Sequence, residues 1–164
     1  MSSKLKNHLE LNRKQDCCGC SACYSACPIK AISMVEDEEG FLYPIIDEEK
    51  CVNCGLCLKK CPIVQGNKCG KTNKFYAVKH KKEDIRSVSS SGGIFSAMAQ
   101  AVISDGGVVY GAAYDERFSV RHIRTTDEDW TKLRTAKYVQ SDMGDVFTHV
   151  KADLIRGYEV LFTG

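Results

Sequence analysis

Apolar and polar positions change rhythm twice along this chain. Ile32-Ser33-Met34-Val35 and Phe41-Leu42-Tyr43-Pro44-Ile45-Ile46 flank an acidic turn, Glu36-Asp37-Glu38-Glu39-Gly40. β-Branched and aromatic residues on both sides of a glycine-containing turn predict a hairpin. Residues 65–74 (QGNKCGKTNK) are polar and glycine-containing, a linker by composition. Beyond them strands and helices alternate. Phe75-Tyr76-Ala77-Val78 reads as a strand, and a helix follows Gly92-Gly93 with Ile94, Phe95, Met98 and Val102 on one stripe, ending at Gly106. Val108 to Ala113 reads as a buried strand and Val120 to Thr125 as a third. Asp127 is placed to cap a short helix through Leu133, with Trp130 as a packing anchor, and Tyr138-Val139 is extended. Ser141 or Asp142 then caps a helix whose Val146, Phe147, Val150 and Leu154 face one way, with Gly157 as the stop and Val160-Leu161-Phe162 as a last strand. This alternation predicts an α/β layer with a mostly parallel sheet. The chain stops at Thr163-Gly164, directly after a strand, where open α/β sheets place their ligands. The α/β portion, residues 75–164, is therefore expected to be the N-terminal part of a larger domain.

The chemistry lies ahead of the linker. Cys17, Cys20, Cys23 and Cys27-Pro28 are matched by Cys51, Cys54, Cys57 and Cys61-Pro62, the pattern C-x2-C-x2-C-x3-C-P written twice. This is the ligand set of a two-cluster ferredoxin, in which the fourth cysteine of each run serves the other cluster. Cys17, Cys20, Cys23 and Cys61 are expected to hold one [4Fe–4S] cubane, and Cys51, Cys54, Cys57 and Cys27 the other. Three thiolates two residues apart on a tight loop can wrap three corners of a cubane, and the fourth iron must be reached from elsewhere. Structural zinc usually takes two separated C-x2-C knuckles, and a disulfide scaffold would want a secreted chain. Sliding the register by one would offer Cys18 as a ligand, but its spacing to Cys20 breaks the pattern; Cys18 and Cys69 read as spare thiols. The expected fold is thus an α+β ferredoxin-like two-cluster domain over residues 1–64, a linker over 65–74, and a partial, mostly parallel α/β domain.

Bulk properties narrow the partners. A formal charge of +2 gives no electrostatic case for nucleic acid. Lysines gather between Lys59 and Lys82, the mark of a solvated linker or of a docking surface for an acidic redox partner. Met1 to Asp16 has no apolar signal core, and no segment approaches eighteen apolar residues, so neither a signal peptide nor a membrane span is expected. Metal-ligating cysteines without secretion place the chain in the cytoplasm. The oxygen lability of exposed cubanes points to an anaerobe.

A second constellation precedes the long helix. Ser89-Ser90-Ser91-Gly92-Gly93 combines hydroxyl donors, permissive backbone and a helix N-terminus, which together make a phosphate cradle or, more simply, an N-cap and flexible turn. Arg86 is a further phosphate partner by position. Lys137 and Tyr138 read as an exposed lysine and a half-buried aromatic, and His80, His122 and His149 as surface or packing residues.

Tyr76-Ala77-Val78-Lys79, Arg86, Ser89 to Phe95, Gly107 to Ala113, Lys137 to Ser141 and Val160 to Gly164 together resemble the β subunit of coenzyme F-420 hydrogenase/dehydrogenase. The resemblance covers nearly all of the chain, since bacterial relatives carry a two-cluster ferredoxin segment in front. It implies an FAD-containing iron–sulfur oxidoreductase in which the flavin lies between the clusters and a hydride carrier, F-420 or another. It places Ser90, Ser91, Gly92, Gly93, Lys137 and Tyr138 near the flavin. Two departures stand out: Ala136 replaces the usual serine, and the family's Pro-Cys-Gln segment and C-terminal domain beyond Thr-Gly are absent. The resemblance implies an enzyme when full length, this stretch alone not being competent, and a protein redox partner such as a ferredoxin or another oxidoreductase subunit. The alternative is a ferredoxin-type electron-transfer module without its own flavin.

Overall fold

The computed structural model describes residues 7–11, 13–66 and 74–164. Cys69 and most of the expected linker lie outside the described residues. Contacts divide the chain into two compact units, one through Lys71 and one from Thr72.

In the first unit the doubled cysteine run becomes a doubled backbone. Gly19 and Ser21 in the first loop have φ of 60° and 57°, and Asn53 and Gly55 at the matching places of the second have 53° and 72°. These left-handed residues turn the chain back twice within each run. Each loop then enters a short helix, α1 (Ala22–Ala26) or α2 (Leu56–Lys60), which buries the third cysteine, Cys23 or Cys57, and ends on the fourth, Cys27 or Cys61. Pro62 opens α3 (Pro62–Gln65), where its missing N–H costs nothing.

The expected hairpin is present. β1 (Ile32–Glu36) pairs antiparallel with β2 (Leu42–Ile46), from Ile32 opposite Ile46 to Glu36 opposite Leu42. Its acidic turn closes because Asp37 Oδ1 accepts from the N–H groups of Glu39 and Phe41, while Lys14 Nζ meets the other oxygen at 2.5 Å. Leu9, Cys23, Ile32, Cys57 and Cys61 form the buried cluster of this unit. Much of the interior is therefore made of the cysteines themselves.

The second unit holds α4 (Glu83–Ser87), α5 (Ile94–Ser104), β3 (Val108–Tyr114), β4 (Val120–Thr125), a 3₁₀ turn (Glu128–Leu133), α6 (Val146–Ile155) and β5 (Val160–Phe162). β3 is central, and its side chains alternate between two layers. Val109 and Ala113 pack with Ala99 and Val102 of α5 and with Trp130 and Leu133; Val108 and Tyr110 pack with Met143 and with Val146 at the start of α6. Trp130 is buried in the first layer, edge-on to Phe95.

Several expectations are corrected here. The three-stranded sheet is mixed rather than mostly parallel: β3 is antiparallel to β4 and parallel to β5. The reason is the short link at 115–119, in which Asp115 Oδ1 accepts from the N–H groups of Arg117 and Ser119, and a link this short joins only antiparallel neighbours. Residues 75–78 form no strand, and Phe75, Tyr76 and Val78 are exposed. Tyr138-Val139 likewise joins no sheet. On α5 the buried face is Ser96, Ala99 and Val102 while Met98 is exposed, and on α6 Asp153 turns inward and Leu154 outward. The N-cap of α6 is Asp145, because Asp142 is used earlier, accepting from Gly144 N–H. No helix among the described residues is long and apolar enough to cross a membrane.

Candidate functional site

The two cysteine loops and the hairpin enclose two small hollows. Cys51, Cys54 and Cys57 line one of them together with Cys27; Cys17, Cys20 and Cys23 line the other together with Cys61. Each hollow thus gathers three cysteines of one run and the last of the other. The swap has a local cause. Cys27 and Cys61 follow the short helices, one turn beyond the buried third cysteine, and so leave their own loop. Ile32 and Ile46 of the hairpin close the first hollow, and Met34 borders the second. Cys18 also borders the second hollow but is exposed.

Backbone donors are already aimed at these sulfurs. Ala31 N–H donates to Cys27 Sγ at 3.2 Å, Leu9 N–H to Cys57 Sγ at 3.2 Å, and Gly19 N–H to Cys17 Sγ at 3.4 Å. Such donors favour the thiolate and delocalised negative charge on cluster sulfur. Burial pushes the Cys23 thiol up to about 12 and also raises that of Cys20, so each becomes a thiolate only beside a strong cation. The buried Ser25 hydroxyl on α1, between Cys23 and Cys27, has no hydrogen-bond partner among the described residues. A single tetrahedral zinc would need four thiolates about 3.8 Å apart, as follows from Zn–S bonds of about 2.3 Å. Among the described residues no group of three or more His, Cys, Asp or Glu side chains is arranged to hold one ion. The donor set, all sulfur and spread around two hollows, fits a cubane in each.

The segment before the first run contributes to both hollows, which the sequence alone does not signal. Asn7 and His8 line the Cys51 hollow, and Leu9 and Leu11 line the Cys17 hollow. The alternation of Leu9 and Leu11 is the one sequence trace of this packing.

The second constellation borders a separate, open cavity of about 380 Å³ in the second unit. Ser89, Ser90, Ser91, Gly92 and Gly93 form one side, and Arg134 and Thr135 the other. The N-cap of α5 is Gly93, with no side-chain cap, so the serines are not spent on the helix end. All three serines line the cavity, but the Ser89 Oγ is committed, donating to Ile85 O. Gly92 is required for close approach: a Cβ there would stand 2.5 Å from Val78 O, and its own carbonyl accepts from His80 N–H at 2.6 Å. The wall at 78–80 is thereby tied to the serine loop. Arg134 lies over the Trp130 ring and donates to Ser96 Oγ, which fixes its guanidinium at the rim.

Three expected residues fall elsewhere. Lys137 does not line the cavity, because its ammonium donates to the carbonyls of Lys132, Arg134 and Thr135; it holds the loop that does. Burial lowers its pKa. Tyr138 is 93 % exposed, not half-buried, and also lies outside the lining. Arg86 pairs with Glu83 and donates to the carbonyls of His80 and Lys81, so its charge is committed to α4 and the segment just before it. His122 is a packing residue stacked on Phe162, with Ser141 Oγ at Nδ1 and Thr163 O at Nε2.

Comparison with known proteins bears on the cysteine-rich segment. Models of a 4Fe–4S dicluster domain match residues 16–64 and 43–106. The two matches overlap on the second cysteine run, and together they describe one pair of runs. An uncharacterized ferredoxin of Methanocaldococcus jannaschii is 39% identical over 49 residues, 30% of this chain and 62% of its own length. One component of the Na(+)-translocating ferredoxin:NAD(+) oxidoreductase complex of Acetobacterium woodii is 41% identical over 46 residues, 28% of this chain and 13% of that protein. An NADH-quinone oxidoreductase component of Geobacter metallireducens is 33% identical over 77 residues, 44% of this chain and 56% of that protein. The chain thus spans less than two thirds of each of these relatives. Its cysteine-rich segment is a 4Fe–4S ferredoxin domain, and the function that segment carries is iron–sulfur electron transfer.

Proposed function

We propose that the chain is part of a cytoplasmic iron–sulfur flavoprotein oxidoreductase. In this reading it holds two [4Fe–4S] clusters, with Cys17, Cys20, Cys23 and Cys61 at one and Cys51, Cys54, Cys57 and Cys27 at the other. It binds FAD through the cavity at the start of α5 and exchanges electrons with a redox partner protein. The observation that carries the cluster reading is the crossed cysteine lining of the two hollows. The cytoplasmic placement rests on the need to keep ligand thiols reduced. When bound, the clusters supply one-electron storage and the flavin supplies exchange between a hydride carrier, F-420 or another, and single electrons.

The chain's own residues bind and tune. Leu9 and Ala31 donate to ligand sulfurs, and Ile32, Ile46 and Met34 of the hairpin border the hollows with apolar side chains. Cys54 is exposed, and Val52, which lines the same hollow, is apolar and exposed, an edge that lets a partner approach the cluster closely. At the cavity, the uncapped first turn of α5, the Ser90 and Ser91 hydroxyls and the anchored Arg134 suit a pyrophosphate.

The second reading, a ferredoxin-type module without flavin, is favoured by the positions of Lys137 and Tyr138 outside the cavity. Titrating FAD into the anaerobically reconstituted full-length protein separates the two. Quenching of flavin fluorescence is expected, and the double change Ser90→Ala and Ser91→Ala should weaken binding about tenfold or more, since two hydrogen bonds to a charged group are lost. Iron content should stay unchanged. No quenching with both clusters intact would favour the module. Gly92→Val is the less selective variant, because it strains the contact with Val78 O as well as the cavity.

A further inference from the structure

Asn7, His8 and Leu9 cross the second cysteine loop as a strap, and the loop is shaped to receive it. Asn7 N–H donates to Asn53 Oδ1 at 3.3 Å and Asn7 Nδ2 donates to Asn53 O at 3.1 Å, a two-point clamp between residues 46 apart. Asn53 is held with φ of 53°, which directs both its side-chain and backbone oxygens toward the strap. Gly55 leaves the space for Asn7: a Cβ there would stand 2.8 Å from Asn7 Nδ2. The clamp buries His8, which is only 8% exposed.

The clamp also fixes what His8 presents. Asn53 Oδ1 already accepts from Asn7 N–H, so it is an oxygen and not the amide nitrogen. His8 Nδ1 lies 3.2 Å from that oxygen and 3.8 Å from Cys51 Sγ. Both neighbours are acceptors, so Nδ1 carries a hydrogen and is a donor toward them. Nε2 faces a further acceptor, Glu10 Oε1, at 3.6 Å. One residue on, Leu9 N–H donates to Cys57 Sγ. Two successive residues of the strap thus present donors to two different sulfurs of the same ligand set.

We propose that the strap Asn7–Leu9 is a tuning device for the cluster at Cys51, Cys54, Cys57 and Cys27, with His8 Nδ1–H and Leu9 N–H as its donors and Asn53 as the residue that positions them. The inference rests on the two-cluster reading. Hydrogen bonds to ligand sulfur stabilise the more negative, reduced cluster and raise its potential. Both sulfurs that the strap meets belong to this one ligand set, so the effect is confined to one of the two clusters.

The test is an EPR-monitored redox titration of the anaerobically reconstituted chain, after iron and sulfide have been counted. His8→Leu removes the donor, and Asn53→Gly removes the Oδ1 arm of the clamp, keeping the backbone carbonyl and tolerating the left-handed backbone. Each is expected to lower one of the two potentials, leave the other in place and keep the iron count. His8→Asn retains an amide N–H near the position of Nδ1 and should restore the lowered potential, which a role in packing alone would not do. If His8→Leu fails to hold iron, Asn53→Gly carries the test. Both potentials unmoved with both clusters intact, or His8→Asn no better than His8→Leu, would overturn the inference while leaving the clusters standing. An unmodified chain that takes up no iron and sulfide would instead overturn the two-cluster reading, and the tuning role with it.

Discussion

Replacing Cys27 by alanine is expected to remove about four of about eight iron atoms, and to remove them from the hollow of the second cysteine run. Cys27 lies in sequence beside Cys23, yet it lines the hollow with Cys51, Cys54 and Cys57. Its sulfur accepts from Ala31 N–H just before β1, so it is held on the far side of α1 from its own loop. A cubane with three thiolates and one open iron is lost or degraded, whereas the cluster bounded by Cys17, Cys20, Cys23 and Cys61 keeps all four. Cys18→Ala should leave both in place, since Cys18 is exposed and out of register. Iron analysis with EPR of the reduced protein reads both variants. Cluster loss on Cys18→Ala but not on Cys17→Ala would show that the register is shifted by one.

The largest expected effect on stability is in the second unit and involves no cofactor. Tyr110, fully buried on β3, donates to Asp153 Oδ2 at 2.5 Å, and Arg124 of β4 grips the same carboxylate through Nε at 2.7 Å and Nη2 at 3.1 Å. Asp153 is 3 % exposed at its side chain, so this triad ties α6 to both strands from inside. Asp153→Ala leaves a buried hydroxyl without its acceptor and a guanidinium without its partner. The cost is about 2–4 kcal/mol, the lower part of the range for broken buried pairs because Arg124 stays partly solvated. Tyr110→Phe loses one hydrogen bond and should cost about 1–2 kcal/mol. Trp130 is the single tryptophan and is buried in this unit, so its fluorescence in a urea titration reports here and not on the clusters. An unmoved midpoint for Asp153→Ala would show that the triad contributes nothing net.

The same triad sets a pH dependence. The Arg124 guanidinium beside Asp153 holds its carboxyl below the ordinary value, against the opposing effect of burial. A carboxyl depressed on folding contributes stability in full above its unfolded pKa and loses it as pH falls through the folded one. The second unit should therefore weaken on acidification below about pH 4. Burial first, and then Asp153, push the Tyr110 phenol up to about 12, so that group stays a donor throughout the neutral range.

What the residues reveal on their own is what short-range chemistry dictates. The cysteine spacing, the hairpin around its acidic turn and the buried strand at Val108 each depend on neighbours within a few positions. The features that escape such a reading depend on partners far along the chain. Asp153 turns inward past Leu154 because Tyr110 and Arg124 wait there, 43 and 29 residues away. His8 carries no signal in the sequence, since its meaning comes from Asn53 and Cys51, more than forty residues on. The mixed sheet is the exception, because its cause is local: an Asp-initiated turn at 115–119 between two strands already implies antiparallel pairing.

The most direct test of the central claim is a count of metal and sulfide on the unmodified chain after anaerobic reconstitution. Two cubanes require about eight iron and about eight acid-labile sulfide per chain, with an EPR signal from interacting reduced clusters after dithionite. Two zinc per chain, no labile sulfide and no EPR signal on reduction would contradict it.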